Sequence, residues 1–90
     1  MSFDVDEVYR YLDLNGIVYT IRAYEVRGVR RVHVVRHGLD TGKLAEVELV
    51  EFDLGHVSES GFSSVEAWKN AVSRFGYGRS ELFMYRVRLT

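Results

Sequence analysis

Thr20 and Arg22 are the residues of this 90-residue chain best placed to do chemistry. They lie two apart in the stretch Gly16-Ile17-Val18-Tyr19-Thr20-Ile21-Arg22. Side chains of an extended backbone alternate between faces, so Thr20 and Arg22 share one face and Ile17, Tyr19 and Ile21 share the other. The second face is expected to join a core and the first to meet a ligand. A guanidinium offers a planar fork of donors that suits a phosphate or a base edge. Its structural alternative is an internal ion pair that holds the sheet together.

Positive charge is concentrated just after this stretch. Residues 22–43 hold six basic side chains, Arg22, Arg27, Arg30, Arg31, Arg36 and Lys43, against the acids Glu25 and Asp40. Residues 44–66 hold six acids and no Lys or Arg. A chain of net charge −1 therefore has the means to carry a basic stripe. Two roles compete for it: contact with backbone phosphates, or pairing of Arg27, Arg30, Arg31 and Arg36 with the acidic strand across the sheet.

Other reactive residues form no recognisable constellation. His33, His37 and His56 have no ligand-pair spacing, and the chain lacks cysteine, so no metal site is expected. Ser58, Ser60, Ser63 and Ser64 form no nucleophile elbow. No glycine pattern resembles a phosphate-cradling loop, and no cofactor is expected. Tyr24 and Tyr77 are the aromatics singled out for base stacking, whereas Trp68 fits an apolar helix face.

The elements that position these residues follow from periodicity. Val5, Val8, Tyr9 and Leu12 mark one face of a helix over Asp4–Asp13, with Asp4 and Glu7 as a capping box and Gly16 as its left-handed end. Strands are expected over Ile17–Tyr24, Val29–Arg36 and Lys43–Leu54. The alternation of the third changes phase near Leu49 and Val50, which predicts a bulge there. Ser63 caps a second helix running to about Phe75, with Val65, Trp68, Ala71 and Val72 inward, and Gly76-Tyr77-Gly78 stops it. A last strand spans Leu82–Leu89. This order predicts an α+β fold: a small, bent, mostly antiparallel barrel-like sheet, with one N-terminal helix and one helix before the last strand.

Length bounds the chain to a single domain over residues 1–90, and 47% hydrophobic residues supply its core. No apolar run approaches the ~18 residues of a membrane span. The start, Met1-Ser2-Phe3-Asp4, lacks a signal peptide's basic and apolar blocks, so a soluble cytoplasmic protein is expected.

Three stretches carry a family resemblance. Thr20-Ile21-Arg22 follows a glycine at a helix end; Leu44-Ala45-Glu46-Val47-Glu48-Leu49-Val50 is a strand; and Ser60-Gly61-Phe62-Ser63 opens a helix through Trp68. In this order, with the closing strand, they resemble an ASCH domain of the PUA-like superfamily. The resemblance implies a small β-barrel with a cleft beside the Thr-Ile-Arg strand, and binding of RNA or a nucleotide-like ligand. Some small members hydrolyse acylated cytidine with a lysine three residues before the threonine, the threonine, and an acid before Gly-Phe. Here those positions hold Ile17, Thr20 and Ser60. A threonine hydroxyl without a partner to take its proton is a poor nucleophile.

An RNA-binding module is therefore expected, in which Thr20 and Arg22 line the cleft while Arg27, Arg30, Arg31 and Lys43 reach phosphates. Two alternatives stay open: a small enzyme acting on a modified nucleoside, with Lys43 or Glu59 brought in from elsewhere, and an interaction protein that uses its sheet edge.

Overall fold

The computed structural model describes residues 1–74 and 81–90. Helix α1 covers Asp6–Asn15, followed by strands β1 (Ile17–Arg22), β2 (Val29–Arg36) and β3 (Leu39–Val50). A 3₁₀ segment at Leu54–Glu59 leads to helix α2 (Val65–Arg74) and then strand β4 (Phe83–Leu89). The four strands form one antiparallel sheet in the order β1-β4-β3-β2. The fold is thus α+β, and its sheet is open, with β1 and β2 as the edges. Among the described residues no helix is long and apolar enough to cross a membrane.

The pairing register sorts the sheet into two faces. Val18 opposes Val87, Val47 opposes Val87 on the other side, and Leu49 opposes Tyr85. These residues face α1, and with Phe3, Val8, Leu12, Val34 and Ala45 they form the main core. The opposite face carries Ile21, Met84 and Val50 at one end, where Trp68 of α2 covers them. Farther along, Glu46 sits opposite Arg88 and Glu48 opposite Arg86, and both pairs are ion-paired.

Several local expectations are corrected. Both faces of β1 are covered: Val18 and Thr20 are buried on one, and Ile21 is buried on the other, where Trp68 of α2 packs, with Ile17 and Tyr19 only partly covered. A period of two is the same whichever face packs, so only the placement of α1 and α2 decides what is covered. The β3–β4 register runs without interruption to Val50, so there is no bulge at Leu49–Val50. The irregularity lies opposite Val34, where β2 advances from His33 to Val35 while β3 drops from Leu44 to Asp40. Gly42 takes φ 79° in that bulge, and the Thr41 hydroxyl donates to Val34 O at 2.7 Å. The β2–β3 turn is only His37-Gly38, with φ 50° and 78°, as in the primed hairpin turns that match strand twist.

Both caps also differ. α1 begins after Val5 with no side-chain cap. Asp4 instead accepts from the His37 amide at 2.7 Å and from the Ser2 hydroxyl at 3.1 Å, tying the chain start to the hairpin tip. In α2 the capping oxygen belongs to Ser64, which accepts from Ala67 N at 3.1 Å, and not to Ser63. The expected stop at Phe75 to Gly78 lies outside the described residues.

Arg36 pairs with Asp6, donates to Phe3 O at 2.9 Å and lies 4.6 Å from the centre of the Tyr9 ring, so it clasps α1 to β2. The Arg36 hydrogen bond holds the Asp6 carboxyl below its ordinary pKa, and the His37 amide does the same for Asp4. A carboxylate with a lowered folded pKa stabilises fully above its unfolded value near pH 4 and loses that contribution as the pH falls through the folded value. Acid unfolding is therefore expected to steepen below about pH 4. In Asp6→Asn this acid-dependent loss should shrink in a circular-dichroism titration; an unchanged acid limb would show that the clasp does not contribute.

Candidate functional site

Three elements bound a cleft of about 190 Å³ at the β1 edge of the sheet. Thr20, Ile21 and Arg22 form its floor. One wall comes from the chain start and α1, chiefly Phe3, Val5 and Val8, and the other from Phe62 and the α2 residues Trp68, Ala71 and Val72. Its lining is mostly apolar with a few polar groups, the usual make-up of a small-ligand site.

Each wall has a local cause. Gly61, at φ 87°, lies so close to α1 that a Cβ there would meet Glu7 O at 2.4 Å. Ser60 is fully buried; its hydroxyl donates to Val57 O at 2.6 Å and accepts from Phe62 N at 3.1 Å. Ser60 and Gly61 together turn the chain so that Phe62 points into the cleft and α2 starts beside β1. At the floor, the Arg22 guanidinium sits 5.1 Å from the centre of the Phe3 ring. The loop after Arg22 is fixed by Tyr85, whose hydroxyl donates to Tyr24 O at 2.6 Å and accepts from Val26 N at 2.8 Å.

No family model matches the chain, and no curated protein or solved structure matches it.

Of the six candidate site residues, Thr20 and Arg22 line the cleft. The other four lie outside its lining and are scattered. Arg27 is on the β1–β2 loop, 3.3 Å from Glu25 and exposed. Arg30 and Arg31 are exposed neighbours on β2 that point to opposite faces. Lys43 pairs with Asp13 and lies 5.4 Å from the centre of the Tyr9 ring, on the α1 side. The acidic strand is also taken differently from expectation: Glu46 and Glu48 pair with Arg88 and Arg86 of β4, although Arg31 of β2 also stands opposite Glu46. Among the described residues one continuous arginine stripe does not form.

For the hydrolytic alternative, no lysine lines the cleft among the described residues, and its single lining carboxylate is Asp4, held in the low-pKa form by the His37 amide. Glu59 is absent from the lining and Lys43 is engaged with Asp13. His33 pairs with Asp40 at 3.0 Å and His56 stacks on Tyr19 at 4.0 Å between ring centres. Among the described residues no group of three His, Asp or Glu is arranged to hold a metal. Tyr24 is 43% exposed and tilts against Tyr85, and Tyr77 lies outside the described residues.

Phe3, Ala71 and Val72 are cleft residues that sequence reasoning did not assign to the site. Phe3 precedes the first periodic segment, so no repeat marks it. Ala71 and Val72 were legible as an inward helix face, but periodicity does not distinguish a core from a cleft wall.

Proposed function

We propose that this chain is a non-catalytic RNA-binding module of the ASCH/PUA-like kind, acting in the cytoplasm, that takes one nucleotide in the cleft beside Thr20-Ile21-Arg22. The observation that carries the reading is the meeting of two separate motif stretches: Thr20, Ile21 and Arg22 line the same cleft as Phe62 and Trp68. Apolar walls suit the faces of a base, and Arg22 suits its polar edge or a phosphate. A PUA-like barrel would draw its strands from this four-stranded antiparallel sheet, which is open at β1 and β2. Binding fits better than hydrolysis because among the described residues no lysine lines the cleft beside Thr20, and Asp4, held at low pKa, is a weak base.

Affinity for a short single-stranded RNA, measured against salt, tests this. Binding should weaken linearly in log–log form as salt rises, with a slope of roughly −0.7 per neutralised phosphate. Arg22→Ala, checked for folding by circular dichroism, should lose ~10-fold or more, the value of a charged hydrogen bond. No binding at low salt, a flat salt response, or wild-type affinity in Arg22→Ala would each overturn the reading.

A further inference from the structure

Phe3 touches both edges of the sheet. Its N–H donates to Val35 O at 2.8 Å, and its C=O accepts from Arg36 Nη1 at 2.9 Å, both on β2. Val35 N in turn donates to Met1 O at 2.9 Å, so residues 1–3 run parallel beside the end of β2. Asp4, the next residue, accepts from the His37 amide just past β2 at 2.7 Å. Yet the centre of the Phe3 ring lies 5.1 Å from the guanidinium carbon of Arg22, at the end of β1. β1 and β2 are the outer strands of the sheet. In a flat sheet three strand spacings would hold them roughly 14 Å apart. The chain start therefore spans from the β2 edge to the cleft at β1.

The two side chains that meet there differ in freedom. The Phe3 ring is 1% exposed and packed in the main core with Val8, Val34 and Tyr85. Arg22 has a long side chain, only partly covered, with its Nε buried. A fixed aromatic face attracts a guanidinium through its ring quadrupole, so Phe3 restricts where Arg22 points. A long side chain that is ordered before a ligand arrives spares part of the entropy cost of binding. Arg36 is outside the cleft lining, yet it holds Phe3 through the backbone and is itself held by Asp6 and the Tyr9 ring.

We propose that the chain start is a positioning strap: Val35 and Arg36 of β2 hold Phe3, and the Phe3 ring orders the Arg22 guanidinium at the cleft floor. Phe3 and Arg36 are thus positioning residues for a site at the opposite edge of the sheet. The proposal rests on the RNA reading above for its ligand and adds how the cation of that site is ordered.

The Arg22 Nε–H resonance, followed by NMR in the protein without RNA, reads the ordering directly. The ring current of Phe3 acts on it, so it should move in Phe3→Leu and, in the same direction by less, in Arg36→Leu. Affinity for a short single-stranded RNA is then measured for each variant alone and combined with Arg22→Ala, with folding checked by circular dichroism. Each alone should weaken binding roughly 2–10-fold, the cost of ordering one long side chain on binding. In the Arg22→Ala background neither should weaken it further, since residues that act through one group are not additive. Equal losses with and without Arg22 would overturn the strap as a device acting through Arg22, while the RNA reading stands. A resonance that moves in Phe3→Leu but not in Arg36→Leu overturns the link to β2. If the resonance moves in both variants but wild type binds no RNA, the RNA reading fails and the strap stands. If it moves in neither and no RNA binds, both are overturned.

Discussion

Gly61→Ala is expected to lower the stability of the domain by about 2–5 kcal/mol and its melting temperature by roughly 8 °C or more. Two costs combine. At φ 87° an alanine occupies the left-handed region, which costs about 1–2 kcal/mol. Its Cβ would also stand 2.4 Å from Glu7 O and 2.8 Å from Glu7 C. Both are helix backbone atoms, so no rotamer change relieves the clash; α1 must move from the turn at a cost of about 1–3 kcal/mol. Gly42→Ala is the control, since Gly42 has φ 79° but no atom lies within 4 Å of where its Cβ would stand. It should lose only the conformational share, about 1–2 kcal/mol. Urea unfolding of both variants reads the difference. Equal losses would show that the close approach to α1 does not matter. The consequence for the site is direct, because Gly61 holds Phe62 in the wall and sets where α2 begins.

Trp68→Ala should cost about 3–5 kcal/mol, the range for removing a large buried aromatic side chain. Trp68 is the single tryptophan of the chain, is 2% exposed, and packs with Ile21 and Met84 where α2 meets the sheet. Its loss leaves a hole at the α2–β1 contact and opens the lower wall of the cleft. Trp68→Phe fills most of the space and should lose less than half as much. Chemical denaturation followed by circular dichroism measures both. Ligand affinity, taken where each variant remains folded, should fall in Trp68→Ala and largely return in Trp68→Phe. A loss under about 1 kcal/mol in Trp68→Ala would mean that α2 is not held to the sheet by this residue.

Net stabilities of small domains are only ~5–15 kcal/mol, so either substitution removes a large share. By comparison, the surface pairs Arg88–Glu46 and Arg27–Glu25 are solvated and should be worth little. The shape of the cleft is governed by one glycine turn and one aromatic contact more than by its charges.

The amino-acid sequence by itself determined the α+β class, two helices and four antiparallel strands, but neither the open sheet nor the 3₁₀ segment at Leu54–Glu59. Val5, Val8 and Leu12 repeat at helix spacing and face the core or its margin, and Gly16 adopts the left-handed conformation at φ 75° that ends α1. Trp68 and Ala71 repeat likewise and are buried. These signals are local, written in spacing of three and four residues or in a single φ preference. Thr20 and Arg22, which strand alternation puts on one face, both line the cleft.

Only the tertiary structure decided what each face meets. Alternation along β1 placed Ile17, Tyr19 and Ile21 inward and Thr20 outward; Ile21 is buried against α2 as expected, but Val18 and Thr20 are buried too, and Val18 joins the core under α1. Arg86 and Arg88 of β4 are ion-paired with Glu48 and Glu46, although Arg31 of β2 also stands opposite Glu46 in the register. The bulge moved from Leu49–Val50 to the segment opposite Val34, since a phase change at a strand end needs no extra residue when both faces are covered. Asp4 left its capping position for the His37 amide, a partner 33 residues away. Strand order, register and long-range packing bring together residues that no local pattern relates, and the cleft itself is of that kind: β1, the Ser60-Gly61-Phe62 turn, α2 and the chain start acquire a shared function only when folded.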